Sequence, residues 1–509
     1  MIDPPATHSF RTPLICVALL AFAGCGRQEP AATAPAAGER PAAALSKIPV
    51  TTSSEEARVL FHEGRVLLDD LHFVESRPYF EQAVEKDPDF AMGYVLLANS
   101  AQNATQFFDA LEKAEDKAAR ASAGERLIIR ALAAGARNDQ ASQLTALNEL
   151  ASMHPGDERV HVLLGNFYNG QQDFRNAAKH FEHATELNSE FAGAFNSLGY
   201  ARRSLDDLAG AKRAFERYVE LVPDEPNPYD SYAELLMEMG SYDESIEIYR
   251  KALSIDKNFA ASYAGISINE SLKGDVDAAL AATAEMLAVA RTAGEKQGAI
   301  FRSVTSHLFA GDVDAAMAAS EEMLSVARAD SNHVAMGGIS EYMGDIMADA
   351  GDGRKALELY DRALEHRMRA DINEANKAQA KRAHLYKSAI AALVSQDRKI
   401  AKTKAAEYKL VAEAYGTAFE RRRIRALSGF LAILNEDWDN ASQELGRASR
   451  INPVVIYWAA VANKNAGNEE KAAELANRAA NRNTLSANLP LVRAEALRLL
   501  EDLGSDQRN

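Results

Sequence analysis

Apolar residues recur three and four positions apart along most of this 509-residue chain, and they do so in blocks separated by short breaks rich in Gly, Pro, Asp and Asn. That spacing marks one face of a helix, so the pattern predicts successive helix-turn-helix pairs and no strands. The blocks are also alike. The segments "YFEQAVEKDPDFA" (Tyr79 to Ala91), "HFEHATELNSEFA" (His180 to Ala192), "AFERYVELVPDEP" (Ala214 to Pro226) and "IYRKALSIDKNFA" (Ile248 to Ala260) superimpose, the last three at a spacing of 34 residues. In this frame the first helix of a pair carries Leu164-Gly165-x-x-Tyr168 or Leu198-Gly199, and the second carries small, aromatic and small residues, as at Ala177, Phe181 and Ala184.

These residues resemble the tetratricopeptide repeat, in which small side chains let two helices cross closely and large ones fill the space between them. The resemblance implies an all-α fold, an α-solenoid of stacked helix-turn-helix repeats. Units fall near 57–90, 91–123 (degenerate in its second helix), 124–157, 158–191, 192–225, 226–259 and 260–293, and the pattern returns at 422–452 and 453–487. The N-terminal array is therefore placed at 55–293, looser pairs with longer helices at 294–416, a C-terminal pair at 417–487, and a capping helix with a tail at 488–509. Gly-Asp recurs at Gly274-Asp275, Gly311-Asp312 and Gly351-Asp352. There Gly should take a left-handed turn and Asp should cap the helix that follows.

Ahead of the repeats, the apolar run from Leu14 to Gly24 is too short to span a bilayer, which needs roughly 20 residues, and has the size of a signal-peptide core. Ala23 and Gly24 directly before Cys25 resemble the lipobox of bacterial lipoproteins. That resemblance implies a signal peptide over 1–24, a lipid-modified Cys25 at the membrane, and a protein of the bacterial cell envelope, anchored in the outer membrane and facing the periplasm. The Ala/Pro-rich stretch behind Cys25, with the anchor assigned to 25–54, has almost nothing to bury and reads as a tether spanning about 30 Å.

Composition narrows the chemistry. The net charge of -16 disfavours nucleic acid, whose phosphates are held by Lys and Arg. Both cysteines, Cys16 and Cys25, precede the repeats, so the repeats themselves hold no disulfide and no thiol nucleophile. No phosphate-binding loop, nucleophile elbow or HExxH is present, and the expectation is a non-enzyme without a cofactor or metal. His180 and His183, with Glu182 or His161, could share one helix face. They flank the core aromatic Phe181, however, which makes them the wet side of a helix rather than a ligand set.

Charge order is uneven. Between Lys377 and Arg425 thirteen Lys and Arg face four acids, a local +9 that includes Arg421, Arg422 and Arg423. This is either a basic binding patch or internal balance against acidic neighbours.

In the family the first helices line a concave groove that holds a protein segment, and the matching positions are Asn166, Asn169, Asn196, Tyr200, Arg203, Asp230 and Glu234. Val162 and Asp230 stand where a carboxylate clamp would need positive or neutral polar groups, so a C-terminal tail is not the expected ligand. The reading is a membrane-anchored scaffold or assembly factor that binds protein partners. The alternative is an accessory factor that holds an anionic envelope glycan or lipid-linked intermediate on the basic segment.

Overall fold

The computed structural model describes residues 47–504 apart from 70–71, 102–103, 138, 373, 450 and 482–485. Cys25 and the expected signal peptide lie outside these residues. Among the described residues every regular element is helical, and the chain divides inside one helix into an N-terminal unit ending at Tyr232 and a C-terminal unit from Ala233.

Helices pair in chain order. The first six pairs are α1 (Glu55–Asp69) with α2 (Phe73–Lys86), α3 (Ala91–Asn99) with α4 (Ala104–Lys117), α5 (Ala123–Ala136) with α6 (Gln140–Met153), α7 (Glu158–Gly170) with α8 (Phe174–Leu187), α9 (Ala192–Ser204) with α10 (Leu208–Leu221), and α11 (Pro226–Glu238) with α12 (Tyr242–Ile255). Then come α13 (Ala260–Lys273) with α14 (Val276–Val289), α15 (Ala293–Phe309) with α16 (Val313–Ala329), α17 (His333–Asp349) with α18 (Gly353–Arg369), and α19 (Glu374–Val394) with α20 (Arg398–Tyr415). The series ends with α21 (Ala418–Leu434) and α22 (Trp438–Ala448), α23 (Pro453–Asn465) and α24 (Glu469–Asn481), and a single α25 (Leu489–Asp502). The looser middle section does have longer helices, with 17 residues in each of α15 to α18 and 21 in α19.

Small residues set how closely the helices of a pair approach. A methyl group at Gly165 would come within 2.5 Å of the Phe181 ring, one at Gly199 within 2.6 Å of Phe215, and one at Gly64 within 2.8 Å of Phe80. Each aromatic is essentially fully buried by this contact. The turns behave as the Gly-Asp pairs predict: Gly274, Gly311 and Gly351 have φ of 87°, 76° and 86°, and Asp275, Asp312 and Asp352 each accept a hydrogen bond from the third residue of the next helix. Five further turns adopt the same left-handed geometry without glycine, at Gln172, Asp206, Ser331, Gln396 and Glu436, each followed by a capping Asp or Asn.

Two expectations are corrected. In the second pair the irregular member is the first helix, since α3 has 9 residues and α4 has 14. Residues 47–54, read as part of the tether, instead lie across the N-terminal ends of α7 and α5 and the turn that joins α2 to α3. The backbone N–H of Ile48 donates to Asp157 at 2.9 Å, that of Thr51 to Glu125 at 2.8 Å, and that of Ser53 to Asp87 at 2.8 Å. The segment is held by carboxylates bonding its main chain, an interaction that apolar patterning does not reveal.

In the C-terminal unit α25 does more than cap the last pair. It packs on α23 and α24 and also returns to α15. Leu489 is buried with Met237, Ile268 and Leu272, while Leu491 and Val492 join the cluster of Phe301, Val304 and Tyr342. The Tyr342 hydroxyl donates to the Ala487 carbonyl at 2.9 Å. Parts of the first helices α11, α13, α15 and α17 are thus covered by the unit's own C-terminal helix.

The longer pairs are also joined by buried charge. Lys387 on α19 is 1% exposed, and its ammonium lies 2.8 and 2.9 Å from the two carboxylate oxygens of Asp345 on α17, which also accepts from the Tyr360 hydroxyl at 2.9 Å. Burial raises the Asp345 carboxyl and the Lys387 ammonium pulls it back. Removing one member of such a pair strands the other. Lys387→Met should therefore cost about 3–5 kcal/mol, and Lys387→Met combined with Asp345→Leu and Tyr360→Phe should cost less than the single change, as read by chemical denaturation.

Candidate functional site

Helical periodicity puts the polar positions of α7 and α9 opposite the faces that bury Leu164, Phe167, Leu198 and Ala201. On α7, Asn166 and Asn169 are half-buried, and neither amide has a side-chain hydrogen bond among the described residues. On α9, Asn196 is 9% exposed and its Oδ1 is buried without a partner. An unsatisfied buried amide is costly, and each of these groups can both donate to and accept from a main chain.

One turn on, Tyr200 donates to the Ser231 hydroxyl at 3.2 Å, and the Arg203 guanidinium lies 4.6 Å from the Tyr200 ring centre. Asp230, at the start of α11, is buried. The structure therefore places Asn166, Asn169, Asn196, Tyr200, Arg203 and Asp230 in the N-terminal unit. Glu234 belongs to the C-terminal unit, where its charge acts on the buried Arg302.

The N-terminal ends of these helices are occupied. Asp69 of α1 pairs with Arg159 at the start of α7, and its carbonyl sits where only a glycine, Gly193, leaves room at the start of α9. Lys47 pairs with Glu158 at the same end. What remains accessible on α7 and α9 is the part that bears Asn166, Asn169, Tyr200 and Arg203, with Asn196 buried beside them. The sequence reading missed the role of Asp87, Glu125 and Asp157 as acceptors for residues 48–53. For Glu125 and Asp157 the signal was their place at helix starts, where a carboxylate has one oxygen to spare after capping, whereas Asp87 stands at the end of α2.

Beside this face His161 and His180 approach with their Nδ1 atoms 3.3 Å apart, His180 stacks on Tyr168 with ring centres 5.5 Å apart, and His183 meets His161 edge to face. Among the described residues no group of three or more His, Cys, Asp or Glu is arranged to hold a metal ion. Burial, reinforced by the charge of His161, lowers the His180 imidazole to about 4.

Part of the basic segment is committed to internal partners. Besides Lys387, Arg382 donates to the buried Glu420 at 3.1 Å, and Arg425 lies 3.4 Å from Glu444. Arg423 sits 4.6 and 4.5 Å from the rings of Tyr386 and Phe419, Arg421 donates to the Gly416 carbonyl, and Arg422 is half-buried. Acids outside the segment, Asp345 and Glu444 among them, balance part of its charge excess, while Arg421 and Arg423 are held by a carbonyl and by aromatic rings.

Comparison with known proteins agrees with the repeat reading. A family model described as tetratricopeptide repeat matches residues 158–191 and 227–259, which coincide to within one residue with units expected from the sequence. The chain contains tetratricopeptide repeats, and such repeats are protein-interaction modules. A curated relative, the protein CTR9 homolog of Arabidopsis thaliana, is 27% identical over 139 residues, which cover 26% of this chain and only 12% of that protein. Among solved structures, a tetratricopeptide repeat protein from Parabacteroides merdae is 13% identical, with 52% of this chain and 98% of that chain covered and a TM-score of 0.38. The yeast Tom70 is 16% identical, with 89% and 96% covered and a TM-score of 0.38. Both scores are low, and neither neighbour informs on this chain's partners.

The histidine group gives a pH dependence with a definite sign. The folded-state value of His180 lies below the ordinary 6.5, so the unfolded chain binds the proton first, and the stability it contributes is complete above about 6.5 and lost as pH falls toward about 4. The melting temperature should fall between pH 7 and pH 5, and His180→Gln should flatten that fall.

Proposed function

We propose that this tetratricopeptide-repeat chain is a lipid-anchored scaffold of the bacterial cell envelope that holds an extended segment of a protein partner against α7 and α9. The observation that carries the reading is three amides without side-chain partners, Asn166, Asn169 and Asn196, on two consecutive first helices. The equivalent helices of the C-terminal unit support the same assignment from the other side, because α25 covers them. Residues 48–53 also give a local precedent, since this repeat surface already bonds the main chain of an extended segment.

The anchor rests on sequence. The apolar run ending at Gly24 and the cysteine that follows it fit a lipoprotein facing the periplasm, and two or more acyl chains give stable attachment. The Arg421–Arg423 cluster gives little support to a glycan-binding role, because Arg421 donates to the Gly416 carbonyl and Arg423 lies over the Tyr386 and Phe419 rings.

Two readouts test this. A photo-crosslinker at position 200 in cells should yield discrete protein adducts that weaken at least about tenfold with Asn196→Ala and Arg203→Glu, whereas one at Ile268, behind α25, should yield none. Adducts insensitive to those changes would overturn the binding face. Separately, Cys25→Ser should move the protein to the soluble fraction after a high-salt wash, and retention in membranes would overturn the anchor.

A further inference from the structure

The second helix of the tenth pair, α20, has an outward face unlike that of its neighbours. Its buried stripe is Ala401, Ala405, Tyr408 and Ala412, at the spacing expected for packing on α19 and α21. Opposite and beside that stripe, Leu410 is 73% exposed, Ile400 47%, Val411 37% and Tyr415 45%, and Phe419 at the start of α21 continues the row at 39%. No other stretch of similar length among the described residues exposes so many large apolar side chains.

On the other side of the buried stripe stand Arg398, Lys402 and Lys409, four to eleven residues apart and all exposed. Lys399 lies on the outer surface, and the helix as a whole carries five cations against two carboxylates. Both carboxylates are taken up by lysines: Glu407 lies 2.8 Å from Lys404, and Glu413 lies 3.8 Å from Lys409. Arg398, Lys399 and Lys402 have no acidic partner among the described residues.

We propose that α20 is a docking surface for an anionic lipid bilayer, with Ile400, Leu410, Val411 and Tyr415 entering the headgroup boundary and the flanking cations meeting lipid phosphates. Two features favour a membrane over a protein partner. The apolar side chains protrude from one helix, with Leu410, Val411 and Tyr415 together in its last turns, which suits a deformable lipid surface, whereas a protein interface needs side chains set into pockets. The charge is also complementary: in a chain of net charge -16 this helix is locally positive, so attraction to acidic lipid orients the protein with α20 toward the bilayer. Lysine stems can lie along the apolar row while their ammonium groups stay at the phosphates, and tyrosine suits the same depth. This role is independent of Cys25 and of the α7–α9 face.

The test uses the full chain with Cys16→Ser and Cys25→Ser, and Leu410→Cys labelled with an environment-sensitive fluorophore. Vesicles of phosphatidylcholine with about 30% phosphatidylglycerol should shift its emission to the blue, the shift should reverse in high salt, and vesicles of phosphatidylcholine alone should give little change. Lys399→Glu, Lys402→Glu and Lys409→Glu together should weaken the titration at least about tenfold, with the melting temperature nearly unchanged because all three side chains are solvent-facing. The same label at Glu247→Cys on α12, another exposed site, should stay in water throughout. A label at 410 that remains in water with anionic vesicles would overturn the proposal, as would equal shifts at 410 and 247. A shift produced by a purified acidic protein and not by vesicles would assign the face to a protein instead.

Discussion

The close approach of a first helix to its partner, set in several pairs by a glycine under a large ring, is the contact on which the rest of this structure depends. Gly165 beneath Phe181, Gly199 beneath Phe215 and Gly344 beneath Tyr360 leave no room for a Cβ. Interiors close-packed in this way respond to a single added methyl group. Because the consecutive pairs α7–α8 and α9–α10 are built on the same contact, the polar positions of their first helices fall in one phase. That phase places Asn166 and Asn169 on α7 and Asn196 and Tyr200 on α9 along one wall. The wall is a by-product of repetition, and its chemistry is free to vary at positions that do not pack.

The two units use their first helices differently. In the C-terminal unit Leu489, Leu491 and Val492 of the terminal helix fill the space against Met237, Ile268, Phe301 and Tyr342, which converts a potential binding wall into core. In the N-terminal unit residues 47–54 and the end of α1 occupy only the helix starts, leaving the amide-bearing part accessible. The buried pairs Lys387–Asp345 and Arg382–Glu420 belong to the same contrast. They lie where the helices are longest, and each joins two successive first helices through buried charge.

Much of this was legible in the sequence, for a physical reason. The repeat signal comes from local spacing, and Phe181, Phe215 and the Gly-Asp turns obey rules that act within a few residues, so helix pairing, turn geometry and the lengthening after α14 could all be read. What spacing cannot show is which distant element comes to rest on a given face. The return of α25 onto α15, the capture of residues 48–53 by Asp157, Glu125 and Asp87, and the internal pairing of Lys387 and Arg423 all join residues far apart in the chain. The basic segment illustrates the difference: its charge could be counted from the sequence, but its division between buried pairs and the exposed face of α20 required the fold.

The most direct measurement is on the central contact. Gly199→Ala adds one methyl group against Phe215, and overpacking of this kind costs about 1–3 kcal/mol. Hydrogen exchange should show faster opening concentrated in α9 and α10 and in the adjoining α8, with part of the loss recovered when Phe215→Leu is added to make room. Exchange unchanged by Gly199→Ala, or a loss that Phe215→Leu deepens rather than relieves, would contradict the account.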